Sequence, residues 1–275
     1  MVSLELRDRP PASDNQNYHK RDSVIMDNED PQTLAEQIAK SEAGKYVDRI
    51  YLLKANFFVF DKNYHEILKI VKTEGHQKEM FELWDLKNRH LLALSINEVL
   101  RLLHNFLASS QSLVAQTRVR INKWYKGNAF LNEYQAQVNQ RFASNPIAGF
   151  IQDLRDYNVH YSLPVSNATF SIHPTQEGSN SVSLTYSYVL IKSHLLLWNR
   201  WNGKSKNYLK SANENIDIYS LVHTYYQQTS EFHIWLIKRI SEIHHKELNW
   251  YQNQSESEFI ISKLSDEEKR DRGFI

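Results

Sequence analysis

The sequence predicts a mainly α-helical protein, a helical bundle with an inserted β-hairpin. Three observations support this prediction. Only 7 Gly and 6 Pro occur in 275 residues, and these are the residues that most disfavour helices. Most of the chain carries apolar residues at steps of three and four, the helical period, whereas one segment alternates as strands do. With 41% hydrophobic residues, the chain can bury a sizeable core.

The first 32 residues are polar, contain proline and show no periodicity. We expect them to form a disordered N-terminal segment, because they cannot bury enough apolar surface to fold. Pro31 suits the first position of a helix, with Asp30 as its cap. Helical spacing then continues to about residue 73 and stops before Gly75.

The strongest helical pattern in the chain is predicted to form the central wall of the bundle. It should end at Lys126–Gly127, because glycine stops helices, and it should be interrupted near Ser109–Ser110. A short helix over about 129–143 and a helix from Pro146 towards Pro164 follow. The wall is defined by apolar residues at steps of four and three: Leu92, Ile96, Val99, Leu103 and Phe106.

Alternating apolar residues after Pro164 predict a β-hairpin over about 167–190. One run includes Phe170, the other includes Tyr186, and Thr175–Asn180 would form the turn between them. A basic loop over 199–212 and a last long helix over about 214–250 should follow. We therefore predict a single helical domain over 33–254 and a charged C-terminal tail over 255–275.

Composition excludes several classes of site. The chain has no cysteine, which excludes disulfides, thiolate metal centres and cysteine nucleophiles. It lacks a glycine-rich phosphate-binding loop and the ligand spacing of a zinc site, so we predict no cofactor and no metal. The N-terminus has no apolar signal-peptide core, and no run approaches the length of a membrane span. A soluble cytoplasmic protein is expected.

The segment from Ile151 to Pro164 carries most of the functional information. It is rich in polar groups and ends a predicted helix. Residues five apart lie roughly 140° apart around a helix, so Arg155 and His160 converge only if the helix loosens ahead of the proline. Asp156 shares a helix face with His160 and would orient its imidazole.

An arginine and a histidine that converge can cleave RNA without a metal. The imidazole would move a proton of the ribose 2′-hydroxyl, and the guanidinium would stabilise the charge that builds on the phosphate. Arg155 and His160 are therefore the predicted catalytic pair. The alternative is that both are surface or capping residues of an ordinary helix.

The end of this helix resembles the Arg-x4–6-His motif of the HEPN superfamily. The resemblance implies a helical metal-independent endoribonuclease that forms a homodimer, so that two motifs build one cleft. It also implies a toxin or antiphage-defence effector with an antitoxin or other defence protein as partner, and supporting roles for Asp156 and Asn158. In the antitoxin-paired subset a tyrosine follows the histidine by two positions, where this chain has Ser162. The matching residues are Leu154, Arg155, Asp156, Tyr157, Asn158, Val159, His160, Leu163 and Pro164.

Basic and aromatic residues are interleaved downstream, in a stretch from Gly178 to Asn213 that contains no Asp or Glu. Bases can stack on such rings while cations meet phosphates. Because the net charge is only +1, this stretch rather than a global field would attract single-stranded RNA. The alternative is a solvated loop whose tryptophans reach back into the core. The predicted RNA-binding residues are Lys192, Arg200, Trp201, Lys204, Lys206 and Lys210.

The second functional hypothesis is a non-catalytic helical module that binds another protein. Its basis is the content of 15 Tyr, 12 Phe and 6 Trp at little net charge, since aromatic residues are enriched in interfaces. The two hypotheses differ in geometry. Convergence of Arg155 and His160 in a groove favours the ribonuclease, whereas an Arg155 buried in a salt bridge favours the interaction module.

Overall fold

The computed structural model describes residues 34–72, 81–174, 182–263 and 265. It confirms the mainly α-helical class with an inserted hairpin. The helices and strands are α1 (Leu34–Lys40), α2 (Glu42–Val71), α3 (Arg89–Trp124), α4 (Ala129–Val138), α5 (Pro146–His160), β1 (Ser166–Pro174), β2 (Val182–Ile191), α6 (Lys192–Leu195), α7 (Gly203–Ser211), β3 (Asn215–Asp217), α8 (Ile218–Ile243) and α9 (His245–Lys263).

The helical run predicted to reach residue 73 forms two helices that are separated at Ser41. This residue has an extended backbone, and its hydroxyl accepts a hydrogen bond from the Gly44 amide at 3.0 Å. Serine is among the preferred N-caps because its side chain satisfies an amide that the first helical turn leaves free. The predicted cap Asp30 and the helix start at Pro31 lie outside the described residues.

Helix α3 is continuous over 36 residues, so the expected break near Ser109–Ser110 is wrong. Both hydroxyls are buried and donate to carbonyls of the preceding turn, Phe106 at 2.9 Å and Leu107 at 2.8 Å. The serines are thus satisfied without leaving the helix.

The stretch Leu86–Trp124 is also long and apolar enough to span a membrane by length and composition, with a window of mean hydropathy 1.3. The expectation that no run approaches such a length was therefore too strict. Of that window, 28% is buried inside the protein, and one stretch that meets these criteria is weak evidence for a membrane span. This arrangement is compatible with a soluble protein.

A π-helical turn, Asn139–Ala143, connects α4 to α5. Asn145 caps α5 by accepting hydrogen bonds from the Ile147 and Ala148 amides, and Pro146 occupies the first turn. Asparagine and proline are favoured at these two positions. The predicted start of this helix is therefore confirmed, and its last residue is His160.

The predicted hairpin is confirmed as β1 and β2, which pair antiparallel with Ser166 opposite Leu190 and Phe170 opposite Tyr186. A short third strand, β3, pairs antiparallel with the end of β2 and gives the order β1-β2-β3. On the bundle side the sheet buries Ala168, Tyr186 and Tyr188, as period-2 alternation requires. The predicted turn Thr175–Asn180 lies outside the described residues.

The predicted basic loop over 199–212 is wrong, because most of it is helix α7. Asn202 caps this helix by accepting hydrogen bonds from the amides of Lys204 and Ser205. The predicted helix over 214–250 is instead β3, α8 and α9, with a break at His244. Helix α9 continues to Lys263, so the predicted tail beyond 255 is helical in its first part.

The bundle is organised around α2, which packs against both α3 and α8. Helices α3 and α8 run parallel, because Phe106 contacts Tyr225 and Tyr125 contacts His244, nineteen residues further along each helix. The core forms two clusters. The larger joins α2, α3, α5, the sheet and the first half of α8, and the smaller joins the other ends of α2, α3 and α8 to α4.

Candidate functional site

The predicted catalytic residues lie on the last two turns of α5. Leu154 and Tyr157 face the core and are buried, whereas His160 is exposed and the Arg155 side chain is 33% exposed. Arg155 and His160 thus border the solvent-facing side of the helix. This segregation follows from the apolar stripe that the helix presents to the bundle.

The helix stays regular through His160. The Tyr161 amide donates to the Tyr157 carbonyl at 2.9 Å, and the Ser162 amide donates to the same carbonyl at 3.1 Å. The chain leaves the helical path only after this point. The helix therefore does not loosen between Arg155 and His160, contrary to the expectation of loosening ahead of Pro164. Within one chain, Arg155 and His160 keep the roughly 140° separation of an ideal helix.

Asp156 pairs with Arg155 rather than with the histidine. One guanidinium nitrogen of Arg155, Nη1, lies 2.9 Å from Oδ1 of Asp156. The expected orienting of His160 by Asp156 is therefore corrected. Exposed ion pairs of this kind are weak and exchange readily with other anions, so the pair occupies the guanidinium without fixing it.

Asn158, predicted to support catalysis, is three residues after Arg155 and lies where α5 meets α3. Its Nδ2 is 3.3 Å from Nδ1 of His104 on α3, and its Oδ1 is buried without a partner. An exposed histidine of α3 thus comes within hydrogen-bond reach of the motif helix. The spacing of the α5 residues carried no signal for His104.

The predicted RNA-stacking residue Trp201 belongs to the core. It is 4% exposed, its ring stacks on Phe150 and Tyr157, and its Nε1 donates to the Leu195 carbonyl at 2.8 Å. Trp198 packs edge-on against it. The alternative, tryptophans that reach back into the core, is correct, and Trp201 has no free ring face for a base.

The predicted cations of this region divide into two groups. Lys192 is half-buried, and its Nζ donates to the Ala212 carbonyl at 2.7 Å. The others are exposed on α7 or just before it: Arg200, Lys204, Lys206 and Lys210.

Helix α7 is fixed on α5 by two contacts. Both carboxylate oxygens of the buried Asp153 accept from Asn202, at 2.7 Å from its amide and 2.8 Å from its Nδ2. At Gly149 the two helices approach so closely that a Cβ there would lie 3.0 Å from Cβ of Lys204. The basic face of α7 therefore holds a fixed position beside α5.

A cavity of about 810 Å³, which the sequence did not predict, lies between α3 and α8 on the side away from α2. Helix α4, the π-turn and the first turns of α5 and α7 complete its wall. It opens where the two core clusters meet, since Ile151 and Tyr225 belong to one cluster and Tyr134 and Phe232 to the other. Its size is within the range of small-molecule sites.

Some buried polar atoms of this cavity have no hydrogen-bond partner in the described chain, among them those of Thr117 and His233. Thr117 is 2% exposed and His233 is 3% exposed, yet the Thr117 Oγ1 and the His233 Nδ1 make no hydrogen bond within the described chain. The parallel register of α3 and α8 places these two residues within about one helical turn along the bundle. Burial lowers the pKa of His233 to about 4, so its imidazole is neutral at neutral pH.

The charge around the cavity has one sign. Arg118 and Lys204 line it and are exposed, and no aspartate or glutamate is among the described residues of its wall. Burial raises the pKa of Tyr134 to about 12, and only the nearby Arg118 opposes that shift. The arrangement is suited to a ligand with a negative group at the mouth and a polar atom at depth.

The sequence contained one signal for this cavity. Thr117, Thr229 and His233 are polar residues at core positions of α3 and α8, and such residues normally have partners. Among the described residues no group of three side chains that could hold a metal ion is found. His244, which follows α8, stacks on Tyr46, and its Nε2 lies 3.1 Å from the Tyr125 hydroxyl.

No family model, curated protein or solved structure matches this chain.

Proposed function

We propose that the protein is a metal-independent endoribonuclease of the HEPN type, which cleaves single-stranded RNA at a site shared by two copies of the chain. The observation that carries this proposal is the placement of Arg155 and His160 along the two borders of the solvent-facing side of α5. A guanidinium and an imidazole are there accessible to a phosphodiester. Both are groups that this reaction uses.

A second copy is required because one regular helix holds the two side chains too far apart around its axis. Exposed apolar residues beside the motif supply a surface for such contact. They are Val159, Tyr161, Leu163 and Val165, each at least 42% exposed. Packing of this surface on its symmetry mate would bring Arg155 of one copy towards His160 of the other.

The chemistry follows from these two groups. His160 of one copy takes the proton of the ribose 2′-hydroxyl, and the oxygen attacks the adjacent phosphorus. Arg155 of the other copy stabilises the added charge on the phosphate oxygens. The bond between phosphorus and the 5′-oxygen breaks, and this oxygen receives a proton from the imidazolium of His160 in the second copy. A 2′,3′-cyclic phosphate remains. RNA phosphate displaces Asp156 from Arg155 in the process.

The exposed cations Arg200, Lys204, Lys206 and Lys210 would bind the phosphates on either side of the cleaved bond. They lie on or next to α7, which Asp153 and Gly149 hold against α5. Lys206 and Lys210 are four residues apart and share one face of α7. Such contacts are independent of base identity and weaken with salt.

The experiment measures cleavage of labelled single-stranded RNA in excess EDTA by the wild type, His160→Ala and Arg155→Ala. We expect cleavage by the wild type and a loss of at least about 100-fold in each variant. The control His245→Ala changes an exposed histidine about 30 Å further along the bundle and should retain activity. Equal inactivity of all four proteins, or wild-type cleavage that persists in both variants, would overturn the proposal.

A second candidate, a non-catalytic protein-interaction module, is favoured by the Arg155–Asp156 ion pair, which occupies the arginine. It uses the same exposed apolar surface around Tyr161 and Leu163. Leu163→Asp should abolish self-association if the protein is the dimeric ribonuclease, whereas the interaction module uses this surface for another protein and requires no second copy. Only the ribonuclease loses RNA cleavage together with the dimer, as measured by ultracentrifugation and the RNA assay on the same samples.

A further inference from the structure

The cavity between α3 and α8 is separate from the α5 motif and has no role in the proposed cleavage reaction. Its wall is largely apolar, and four aromatic side chains, Tyr134, Phe142, Tyr225 and Phe232, lie around it. Phe142 meets Phe232 edge-on, with ring centroids 5.4 Å apart. Rings arranged in this way offer both faces and edges to a further ring.

The polar side chains of Thr117 and His233 belong to the cavity wall. The Thr117 hydroxyl and His233 Nδ1 are buried and have no partner in the described chain. Groups of this kind destabilise a fold, and a rotation of either side chain would be needed to bring its polar atom to a ligand heteroatom. Because His233 is neutral, it accepts or donates one hydrogen bond without bringing a charge into the core.

The mouth of the cavity carries two cations. Arg118 makes no ion pair within the described part of the chain, and neither does Lys204. Since no described acidic residue lines the cavity, an anion that enters meets attraction only. Cationic groups at the opening of an apolar cleft raise the local concentration of anionic ligands.

We propose that this cavity binds a small planar aromatic anion. The ring system packs among Tyr134, Phe142 and Phe232, and the anionic group meets Arg118 and Lys204. The volume of about 810 Å³ accommodates two or three fused rings with one phosphate, sulfonate or carboxylate. Neither the rings nor the Thr117 hydroxyl are needed for RNA cleavage, so this site is distinct from the proposed cleavage site, although Lys204 is assigned to both.

The test uses 1-anilinonaphthalene-8-sulfonate, a naphthalene ring system with one sulfonate, titrated into the full chain and followed by fluorescence. We expect one equivalent to bind with a micromolar dissociation constant. Near-ultraviolet circular dichroism on the same sample shows that the protein is native, since this dye also binds partly unfolded states. A cavity that holds only water would give no binding, and this result would overturn the proposal.

Two matched pairs of variants locate the site. Val114 lines the cavity and Val119 does not, although both are exposed on α3. Val114→Trp should raise the dissociation constant at least about tenfold by filling the cavity, whereas Val119→Trp should leave it unchanged. Arg118→Gln should weaken binding several-fold and reduce its salt dependence, and Arg120→Gln, which is outside the wall, should do neither.

Competition decides the chemical class. 1-Naphthyl phosphate should displace the dye, and dodecanoate should displace it at least about tenfold less well, because aromatic rings gain ring-to-ring contacts that an alkyl chain does not make. Displacement by dodecanoate at equal or lower concentration would overturn the aromatic assignment. Because Arg118 is exposed, Arg118→Gln is expected to fold, and binding that it leaves unchanged would also contradict the proposal. RNA takes no part in these assays, so their failure leaves the ribonuclease test unaffected.

Discussion

The two ends of helix α5 have opposite chemistry. At the start of the helix, Ala148, Gly149 and Gln152 face a cavity with buried polar groups that lack partners. At the end, Arg155 and His160 face solvent, and the arginine has a partner in Asp156. The unpartnered polar atoms of the cavity are thus buried, where water is scarce, whereas Arg155 and His160 are open to water, which is the opposite of what stability alone selects.

This comparison shows which polar residues lower the stability of the fold. Arg155 and His160 at the exposed end cost little, because water solvates them whether or not they have a protein partner. Thr117 and His233 at the buried end lower stability, because the cavity gives them no partner. The predictions below measure that difference, and the largest expected effect comes first.

The core side of α5 should dominate its stability. Phe150 is fully buried and stacks on Trp201 and Tyr208. Phe150→Ala should lower the free energy of unfolding by about 3–5 kcal/mol, as measured by urea denaturation. Val159→Ala on the exposed side of the same helix is the control, and at concentrations where the protein is a monomer it should change this free energy by less than about 0.5 kcal/mol. Similar losses in both variants would show that the C-terminal turns are buried against another surface.

Acid should destabilise the buried end through His233. Its pKa is about 4 in the folded protein because burial disfavours the charged form, against 6.5 for the free side chain. The unfolded chain therefore takes up a proton first as pH falls, so stability is complete above about 6.5 and decreases towards pH 4, by about 3 kcal/mol in total. His233→Phe should remove this part of the pH dependence of urea denaturation.

The exposed His245 provides the control for this effect. His245→Phe should keep the wild-type decrease between pH 6.5 and 4. His244, whose pKa is also lowered by burial, contributes in the same direction to all three proteins and cancels in the comparison. An identical pH dependence in His233→Phe and the wild type would mean that His233 is solvated.

Substitution of Asp153 should destabilise the protein more than substitution of Asp156, which lies three residues further along α5. Asp153→Ala leaves the amide and Nδ2 of Asn202 without acceptors, which should cost about 2 kcal/mol. Hydrogen exchange of the α7 amides should accelerate in the same variant. Asp156→Ala breaks only the partly exposed pair with Arg155, at a cost below about 1 kcal/mol. The reverse order would contradict the assignment of Asp153 as the residue that anchors α7.

The smallest effect is a stabilisation. Thr117→Val replaces an unpartnered buried hydroxyl by a methyl group and should raise the free energy of unfolding by up to about 1 kcal/mol without ligand. Ser109→Ala on the same helix removes a hydroxyl that is hydrogen-bonded to the Phe106 carbonyl and should not stabilise. A clear loss in Thr117→Val would show that its hydroxyl has a partner.

Local signals in the sequence were sufficient for much of the fold. Pro146 predicted the start of α5, and alternation around Phe170 and Tyr186 predicted the hairpin. Both patterns act within a few residues, so they do not depend on the rest of the protein. The same is true of the apolar stripe of α3, although its serines were misinterpreted because their bonding to the preceding turn is invisible in the sequence.

The prediction of a loop over 199–212 was wrong because the structure of this segment depends on long-range contacts. The segment 199–212 carries many cations and a glycine, which are typical of a loop, yet Asp153 fixes Asn202 as the cap of α7. Trp201 lies in an apparently solvated stretch, yet Phe150 and Tyr157 provide its pocket. In each case the deciding partner lies more than 40 residues away along the chain.

By itself, the sequence determined the helical class, the position of the hairpin and the helix that carries Arg155 and His160, because periodicity and capping are local. Only the tertiary structure decided that α5 stays regular through His160 and that Asp156 pairs with the arginine. The cavity also follows from the tertiary structure alone, because its volume depends on the distance between α3 and α8 where both pack against α2. No single segment of sequence encodes the gap between two helices.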